Sequence, residues 1–157
     1  MFSRILVPLD GSTRSERALP YAVQLAQRFT AELVLLGVVP PLAHEPPLYS
    51  SMIEPAGDGG LLLQAQAQQR QELQDYLDAV AHRPEVAALR SGLLTIIQEG
   101  TVADAILAVA DSIEADTIVM ATHGRGGISR WLLGSNADRI VQHSSIPVLL
   151  IRPSTDD

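Results

Sequence analysis

The chain has 157 residues, of which 46% are hydrophobic and 18% are charged, and its formal net charge is −7. This size and composition predict one compact domain over residues 1–157, with enough apolar residues to bury a core. The acidic balance and the scattered cations argue against DNA or RNA as a partner, because such binding relies on a clustered basic face. There is no Cys, and all eleven Lys and Arg positions are Arg, which excludes Walker A loops, Schiff-base lysines, disulfides and thiolate chemistry.

The amino-terminal residues show no pattern typical of export or membrane insertion. The apolar stretch that follows Arg4 ends at Pro8, which is too short for a signal-peptide core. No apolar run along the chain approaches the roughly 18 residues that a membrane-spanning helix needs. We therefore expect a soluble, cytoplasmic protein.

Short β-branched runs alternate along the chain with longer runs of helical periodicity, a pattern typical of βαβ units and a parallel sheet. The predicted strands lie at residues 4–9, 32–39, 93–98, 117–121 and 146–151. The predicted helices lie at about 13–29, at 61–81, from about 101 to 113 and from about 135, with a long loop at 40–60.

The starts of the predicted helices show a common spacing of polar residues. In a capping box, a Ser or Thr at the helix start and an acidic side chain three residues later satisfy free backbone N–H groups. The candidate pairs are Thr13 with Glu16, Thr101 with Asp104, and Ser135 with Asp138. Pro20 falls inside the first predicted helix and is expected to kink it.

These elements predict an α/β fold with an open, parallel, five-stranded sheet and helices on both faces. In the order 3-2-1-4-5, which we expect for a sheet of this type, the first and fourth strands are neighbours. Ligands of such sheets bind outside the carboxyl ends of the strands, where the strand order reverses. Asp10 follows the first strand and Gly124 follows the fourth, so both would face one ligand. The alternative role for Asp10 is a helix cap, and we favour the ligand because Thr13 and Glu16 already supply one.

A glycine-rich loop follows the fourth strand. It contains Gly124-Arg125-Gly126-Gly127, and Gly134-Ser135 immediately precedes the last predicted helix. Glycine lets backbone amides approach phosphate oxygens, and a helix N-terminus adds partial positive charge. The alternative is that these glycines are turn residues and Ser135 is a cap. The residues alone leave both interpretations open.

With these features the sequence resembles the universal stress protein family. The resemblance rests on Ile5-Leu6-Val7-Pro8-Leu9-Asp10-Gly11-Ser12, on Glu99-Gly100 and on residues 117–152. ATP-binding members of that family carry Gly, two residues, Gly, nine residues, and then Gly followed by Ser or Thr. This chain has Gly124, nine residues and then Gly134-Ser135, with Ala121 at the position of the first glycine.

The resemblance implies an ATP-binding fold in which Asp10 meets the ribose and Val38 presents its backbone to the adenine. It assigns the phosphates to Gly124, Gly134, Ser135 and Asn136, and it adds Pro8, Ala121 and Arg125 to the nucleotide-binding set. The expected ligand is ATP, with AMP or ADP as alternatives, and with Mg²⁺ or Mn²⁺ bridging the phosphates.

The resemblance implies a regulatory nucleotide-binding module of the stress response, and the residues give little support to an enzyme. The chain offers no lysine and no carboxylate clearly placed to orient an attacking water. Two alternatives stay open: a nucleotide-free family member that acts through protein partners, and a slow ATP hydrolase on the same scaffold.

The last strand predicts an assembly. Val148-Leu149-Leu150-Ile151 is apolar on both faces, and in the order 3-2-1-4-5 it lies at the sheet edge with no following helix to cover it. Members of the resembled family commonly form dimers through this strand. We expect a homodimer about a two-fold axis, with a tetramer as a further stage.

Overall fold

The computed structural model describes residues 2–41, 59–122 and 134–152. In this part of the chain, five parallel strands form one sheet in the order β3-β2-β1-β4-β5, which confirms the predicted topology. The strands are β1 (Arg4–Pro8), β2 (Glu32–Val39), β3 (Leu93–Glu99), β4 (Thr117–Ala121) and β5 (Val148–Ile151).

Helices cover both faces of the sheet, as predicted. They are α1 (Leu19–Phe29), α2 (Gly59–Ala81), α3 (Pro84–Ala87), α4 (Val102–Ser112) and α5 (Ser135–His143). Successive side chains of a strand point to opposite faces, so Ile5 and Val7 pack on the side of α1, α2 and α3. Leu6 packs on the side of α4 and α5. The central strand β1 is therefore buried on both faces, as parallel sheets require.

The segment between β1 and α1 differs from the single helix predicted from residue 13. Ser15–Ala18 forms a 3₁₀ turn, and α1 begins only at Leu19. Pro20 consequently lies in the first turn of α1, where the missing N–H removes no intrahelical bond. The expected kink at Pro20 was therefore wrong.

None of the three predicted capping boxes forms as predicted, and in the third Gly134 takes the N-cap position expected for Ser135. The carboxylate of Glu16 pairs with the guanidinium of Arg83, 67 residues further along the chain, and the predicted box with Thr13 was wrong. Thr101 is the N-cap residue of α4, as expected, but its Oγ1 donates to Asp104 Oδ2 at 2.6 Å. At Glu16 and at Thr101, a bond to another side chain thus replaces the expected bond to a backbone N–H.

The predicted loop at residues 40–60 falls largely on residues 42–58, which lie outside the described part of the chain. Gly59 and Gly60, its last two predicted residues, form the start of α2 instead. The short helix α3 was not predicted, since four residues are too few to show a period.

Candidate functional site

The strand order reverses between β1 and β4, and the ladder between these two strands is short. Its last pair is Leu6 with Ile118, whereas the ladder between β1 and β2 continues to Pro8 opposite Leu36. The N–H of Leu9 donates to the C=O of Leu36 at 2.8 Å, so strand alternation directs the amide position of Pro8 towards β4. Proline has no N–H to donate there. The carboxyl halves of β1 and β4 therefore pair with their outer neighbours but not with each other, at the point where such sheets bind ligands.

Asp10 lies two residues beyond β1 in a tight turn. Gly11 has φ +81, a conformation that glycine adopts without strain. Asp10 Oδ1 accepts hydrogen bonds from the N–H of Ser12 at 2.9 Å and from its Oγ at 2.6 Å. Partial burial raises the pKa of Asp10, but the hydrogen bonds with Ser12 and Ser15 outweigh burial and hold the pKa below its ordinary value. Asp10 therefore presents a charged carboxylate with one oxygen tied into the turn.

Val38 lies near the carboxyl end of β2, beside the point where β1 ends. Its side chain packs partly against the apolar cluster on the α4 and α5 side. Because Leu36 directs its C=O at β1, the period of two directs the backbone N–H and C=O of Val38 to the same side. That side lies beyond the last pair of β1, Pro8 with Leu36. The Val38 backbone thus faces the crevice that the end of β1 leaves beside β2.

Ala121 is the last residue of β4 and pairs with Ile151 of β5. Its methyl group packs against the apolar cluster on the α1 side of the sheet. The next residue, Thr122, is buried and donates its N–H to the C=O of Ile151 at 2.9 Å. The extra methyl of Ala121, relative to glycine, is thus accommodated by contacts with the core.

The N-terminus of α5 lies at the carboxyl edge of the sheet, since α5 connects the parallel strands β4 and β5. The predicted start is confirmed, but Gly134 is the N-cap residue and Ser135 is the first helical residue. The first bond of the helix runs from the N–H of Asp138 to the C=O of Gly134 at 2.9 Å, so the N–H groups of residues 135–137 have no intrahelical acceptor. Ser135 and Asn136 are exposed. The free N–H groups and the partial positive charge of the helix N-terminus together form a suitable binding site for an anion.

The other predicted phosphate-binding residues, Gly124 and Arg125, lie outside the described part of the chain. The structure therefore brings Pro8, Asp10, Val38 and Ala121 to one edge of the sheet, together with the N-terminus of α5.

Sequence reasoning missed the partners of Asp10 and of Glu16. Ser12 and Ser15 complete the turn around Asp10, and the sequence Asp-Gly-Ser is a signal for such a turn. Tyr76 and Arg83 both bind the Glu16 carboxylate, and no local pattern announces a contact over 60 residues or more.

The described residues hold neither a metal-binding cluster nor a membrane-spanning helix. These residues contain no group of three or more His, Asp or Glu side chains that could hold a metal ion. In the same ranges, no helix has the length and apolar character needed to cross a membrane.

The topology and the crevice define an open, parallel α/β fold of the doubly wound type, with its candidate site at the switch point. The chain belongs to the universal stress protein family, since the model of that family matches residues 1–152. It is 30% identical over 152 residues to the universal stress protein MJ0531 of Methanocaldococcus jannaschii, which covers 97% of this chain and 83% of that protein.

Solved structures of the family share the fold. The universal stress protein UspA of Lactobacillus plantarum matches with a TM-score of 0.77 at 26% identity, over 96% of this chain and 98% of that one. A universal stress protein solved in complex with cAMP matches with a TM-score of 0.62 at 25% identity, over 98% of both chains.

Proposed function

We propose that this protein is a regulatory adenine-nucleotide-binding module of the stress response, and that its ligand is ATP. The observation that carries the proposal is that Asp10, the Val38 backbone and the N-terminus of α5 all lie at the carboxyl edge of the sheet, around the end of β1. A similar structure of the same family was solved in complex with cAMP, which supports an adenine nucleotide as the ligand class.

The three groups suit three parts of a nucleotide. The charged carboxylate of Asp10 would accept a hydrogen bond from a ribose hydroxyl, and the Val38 backbone would pair with the adenine edge. Gly134, Ser135 and Asn136 would bind phosphate oxygens at the start of α5. We keep Gly124 and Arg125 as proposed phosphate ligands on the basis of the family motif. A bound Mg²⁺ or Mn²⁺ would neutralise phosphate charge and link the phosphate oxygens.

Ala121 bears on the choice between a nucleotide-binding and a nucleotide-free member of the family. Its methyl group packs against the cluster on the α1 side of the sheet, whereas the Val38 side chain and α5 belong to the opposite side. This separation favours the nucleotide-binding alternative, because the methyl is taken up by core contacts.

We further propose that residues 1–157 act as one domain in the cytoplasm and that two copies associate through β5. The edge position of β5 and the exposure of Leu149 support this association. A slow hydrolysis of ATP by positioning alone is compatible with the same site.

The decisive experiment identifies any adenine nucleotide that copurifies with the protein, by chromatography after denaturation. Thermal unfolding with and without MgATP then measures binding through the stabilisation of the folded state. ATP at 100 times its Kd should raise the free energy of unfolding by about 2.7 kcal/mol. GTP serves as the matched control for the base. No bound nucleotide and no shift at millimolar MgATP would support the nucleotide-free alternative instead.

A further inference from the structure

Outside the crevice, Glu16, Tyr76 and Arg83 form a hydrogen-bonded cluster, called here the Glu16 cluster. Arg83 donates to both carboxylate oxygens of Glu16, with Nη1 and Nη2 each at 2.9 Å, and the Tyr76 hydroxyl donates to Oε1 at 3.0 Å. The two-bond pairing fixes the carboxylate in direction as well as in distance. Its hydrogen bonds with Arg83 hold the pKa of Glu16 below the ordinary value, so the pair is charged at neutral pH.

The Glu16 cluster is anchored in the apolar core. The ring of Tyr76 packs against the cluster on the α1 side of the sheet, next to Leu77 and Val80, which are fully buried. Val86, three residues beyond Arg83, is fully buried in the same apolar core on the α1 side of the sheet. Both partners of Glu16 thus stand on segments whose positions are fixed by burial.

Glu16 in turn holds the segment that carries Asp10. Its N–H donates to the C=O of Ser12 at 3.3 Å, and the Oγ of the adjacent Ser15 donates to the same carbonyl at 2.9 Å. The Ser15 N–H donates to Ser12 Oγ at 3.1 Å, and Ser12 Oγ donates to Asp10 Oδ1 at 2.6 Å. Ser12 and Ser15 therefore direct the Asp10 carboxylate, and Glu16 joins this turn through its backbone N–H while its side chain binds Tyr76 and Arg83.

We propose that Tyr76 and Arg83 are positioning residues of the nucleotide site, which hold the Asp10 carboxylate in place through Glu16. This inference rests on the proposed nucleotide binding. The competing role for the Glu16 cluster is to stabilise the fold without any effect on ligand affinity. If the cluster positions Asp10, removing one of its bonds should weaken ATP binding only while the Asp10 carboxylate is present. If the cluster only stabilises the fold, the same removal should not affect ATP binding, with or without that carboxylate.

The test is a double-mutant cycle between Tyr76→Phe and Asp10→Ala, with the Kd of MgATP measured by titration calorimetry. Tyr76→Phe removes one hydroxyl and keeps the ring in the core. In the wild-type background it should weaken binding on the order of threefold to tenfold, as for residues coupled to a site without touching its ligand. In the Asp10→Ala background the same change should have an effect below about twofold, because the positioned group is gone.

Arg83→Met should weaken ATP binding in the same way, and the chain offers a matched control. Arg70→Met also removes an Arg–Glu ion pair, a single and more exposed bond in which Arg70 Nη1 lies 3.0 Å from Glu99 Oε1 and both side chains are half-exposed. This pair has no bond to the turn of residues 10–15, so Arg70→Met should leave the Kd unchanged. Equal effects of Tyr76→Phe with and without the Asp10 carboxylate would overturn the proposal.

A second readout separates this inference from the proposed function. In ligand-free protein, Tyr76→Phe should speed amide hydrogen exchange at Ser12 and Ser15, whose N–H groups are bound within the turn. Unchanged exchange at both amides overturns the positioning role, whether or not ATP binds. Failure of the wild-type protein to bind any adenine nucleotide overturns the proposed function, and the role of the cluster in nucleotide binding with it, even if exchange is faster.

Discussion

Gly37 of β2 and Leu73 of α2 approach each other so closely that a side chain at position 37 would displace the side chains of Leu73 and Ile97. A Cβ there would lie 2.7 Å from both Cγ and Cδ2 of Leu73 and 2.8 Å from Cδ1 of Ile97. Glycine thus allows α2 to pack directly onto the sheet. Because Val38 is the next residue, this contact also fixes the end of β2 at the candidate adenine position.

Gly37→Ala should lower the free energy of unfolding by about 1–3 kcal/mol, since the added methyl overpacks the interface between β2 and α2. Urea unfolding measures the change. The control is Gly60→Ala, because a Cβ at position 60 meets nothing within 4 Å. Near the start of α2, that change should be neutral or stabilising by up to about 1 kcal/mol. Equal stability of the two variants would contradict the packing argument, and Leu73→Ala should relieve part of the Gly37→Ala defect.

Hydrophobic patterning predicted every strand to within two residues, because burial on both faces is written into local sequence. The strand order was expected from the type of sheet and not from the patterning. The contacts that the sequence did not predict join distant positions. Glu16 has the spacing of a capping box, but Arg83 outcompetes the backbone for its carboxylate. The close approach of Leu73 to Gly37 has no local signature either.

For the candidate site, the sequence placed Asp10 correctly at the end of β1 but did not predict its hydrogen-bonding partners. We expected its carboxylate to be free because a cap was available elsewhere, and instead Ser12 binds one of its oxygens. Ser135 was expected to cap α5, and Gly134 is the cap residue. The exact residue at which a helix begins depends on local backbone angles, which the amino-acid sequence does not determine to a single residue.

The acid stability of the fold should depend on Asp116. Its Oδ2 accepts the N–H groups of Ser3 at 2.5 Å and Arg4 at 2.7 Å, which ties the start of β4 to the start of β1. These two bonds lower the pKa of Asp116 below its ordinary value of 3.8. A lowered folded-state pKa means that the stabilisation is complete at pH values above the unfolded pKa. It is lost as the pH falls through the folded pKa.

Asp116→Asn should therefore reduce the free energy of unfolding at neutral pH by on the order of 1 kcal/mol, from weaker bonds to an uncharged acceptor. It should also flatten the loss of stability below about pH 4. Urea unfolding over a pH series measures both effects. Asp75→Asn is the control, because Asp75 lies on the exposed face of α2 and accepts only from Gln71 among the bonds of the described residues. An acid limb with unchanged slope in Asp116→Asn would refute this assignment.

Asp10→Ala should weaken ATP binding by about 1–3 kcal/mol, the range for hydrogen bonds to a charged group. Calorimetric titration with MgATP measures the change, and Asp75→Ala controls for the loss of one negative charge. The melting temperature should fall only modestly, because the bonds that the Asp10 side chain loses lie within the exposed turn with Ser12. Unaltered affinity would restrict Asp10 to its role in the turn with Ser12.

Ala121→Gly should keep or tighten ATP binding, because it restores the glycine of the family motif at the end of β4. It should also cost a small amount of stability, since the methyl that it removes packs against the apolar cluster on the α1 side. Titration and thermal unfolding of the same sample separate the two effects. A loss of affinity would mean that Ala121 does not correspond to the first glycine of the motif.

The edge strand β5 offers both backbone groups and apolar surface to a second copy. Ile118 donates its N–H to Pro147 O, and Thr122 donates to Ile151 O, so the odd positions of β5 face β4. By alternation, Val148 and Leu150 direct their N–H and C=O groups outwards. Leu149 is 40% exposed, and Ile151, on the same face, is 9% exposed.

The predicted homodimer follows from these features and is tested by one substitution at the edge. Leu149→Asp places a charge on the exposed apolar position and should shift the protein to monomer, whereas a charge at the buried Ile151 would also disturb the core. Light scattering should give a wild-type mass near twice 16.9 kDa, or a multiple of it.

Leu94→Asp is the matched control, because Leu94 is 46% exposed on β3, the opposite edge of the sheet. It should leave the mass unchanged, since the proposed two-fold contact uses only β5. A wild-type protein that stays monomeric at high micromolar concentration, or a Leu94→Asp variant that dissociates like Leu149→Asp, would contradict pairing through β5.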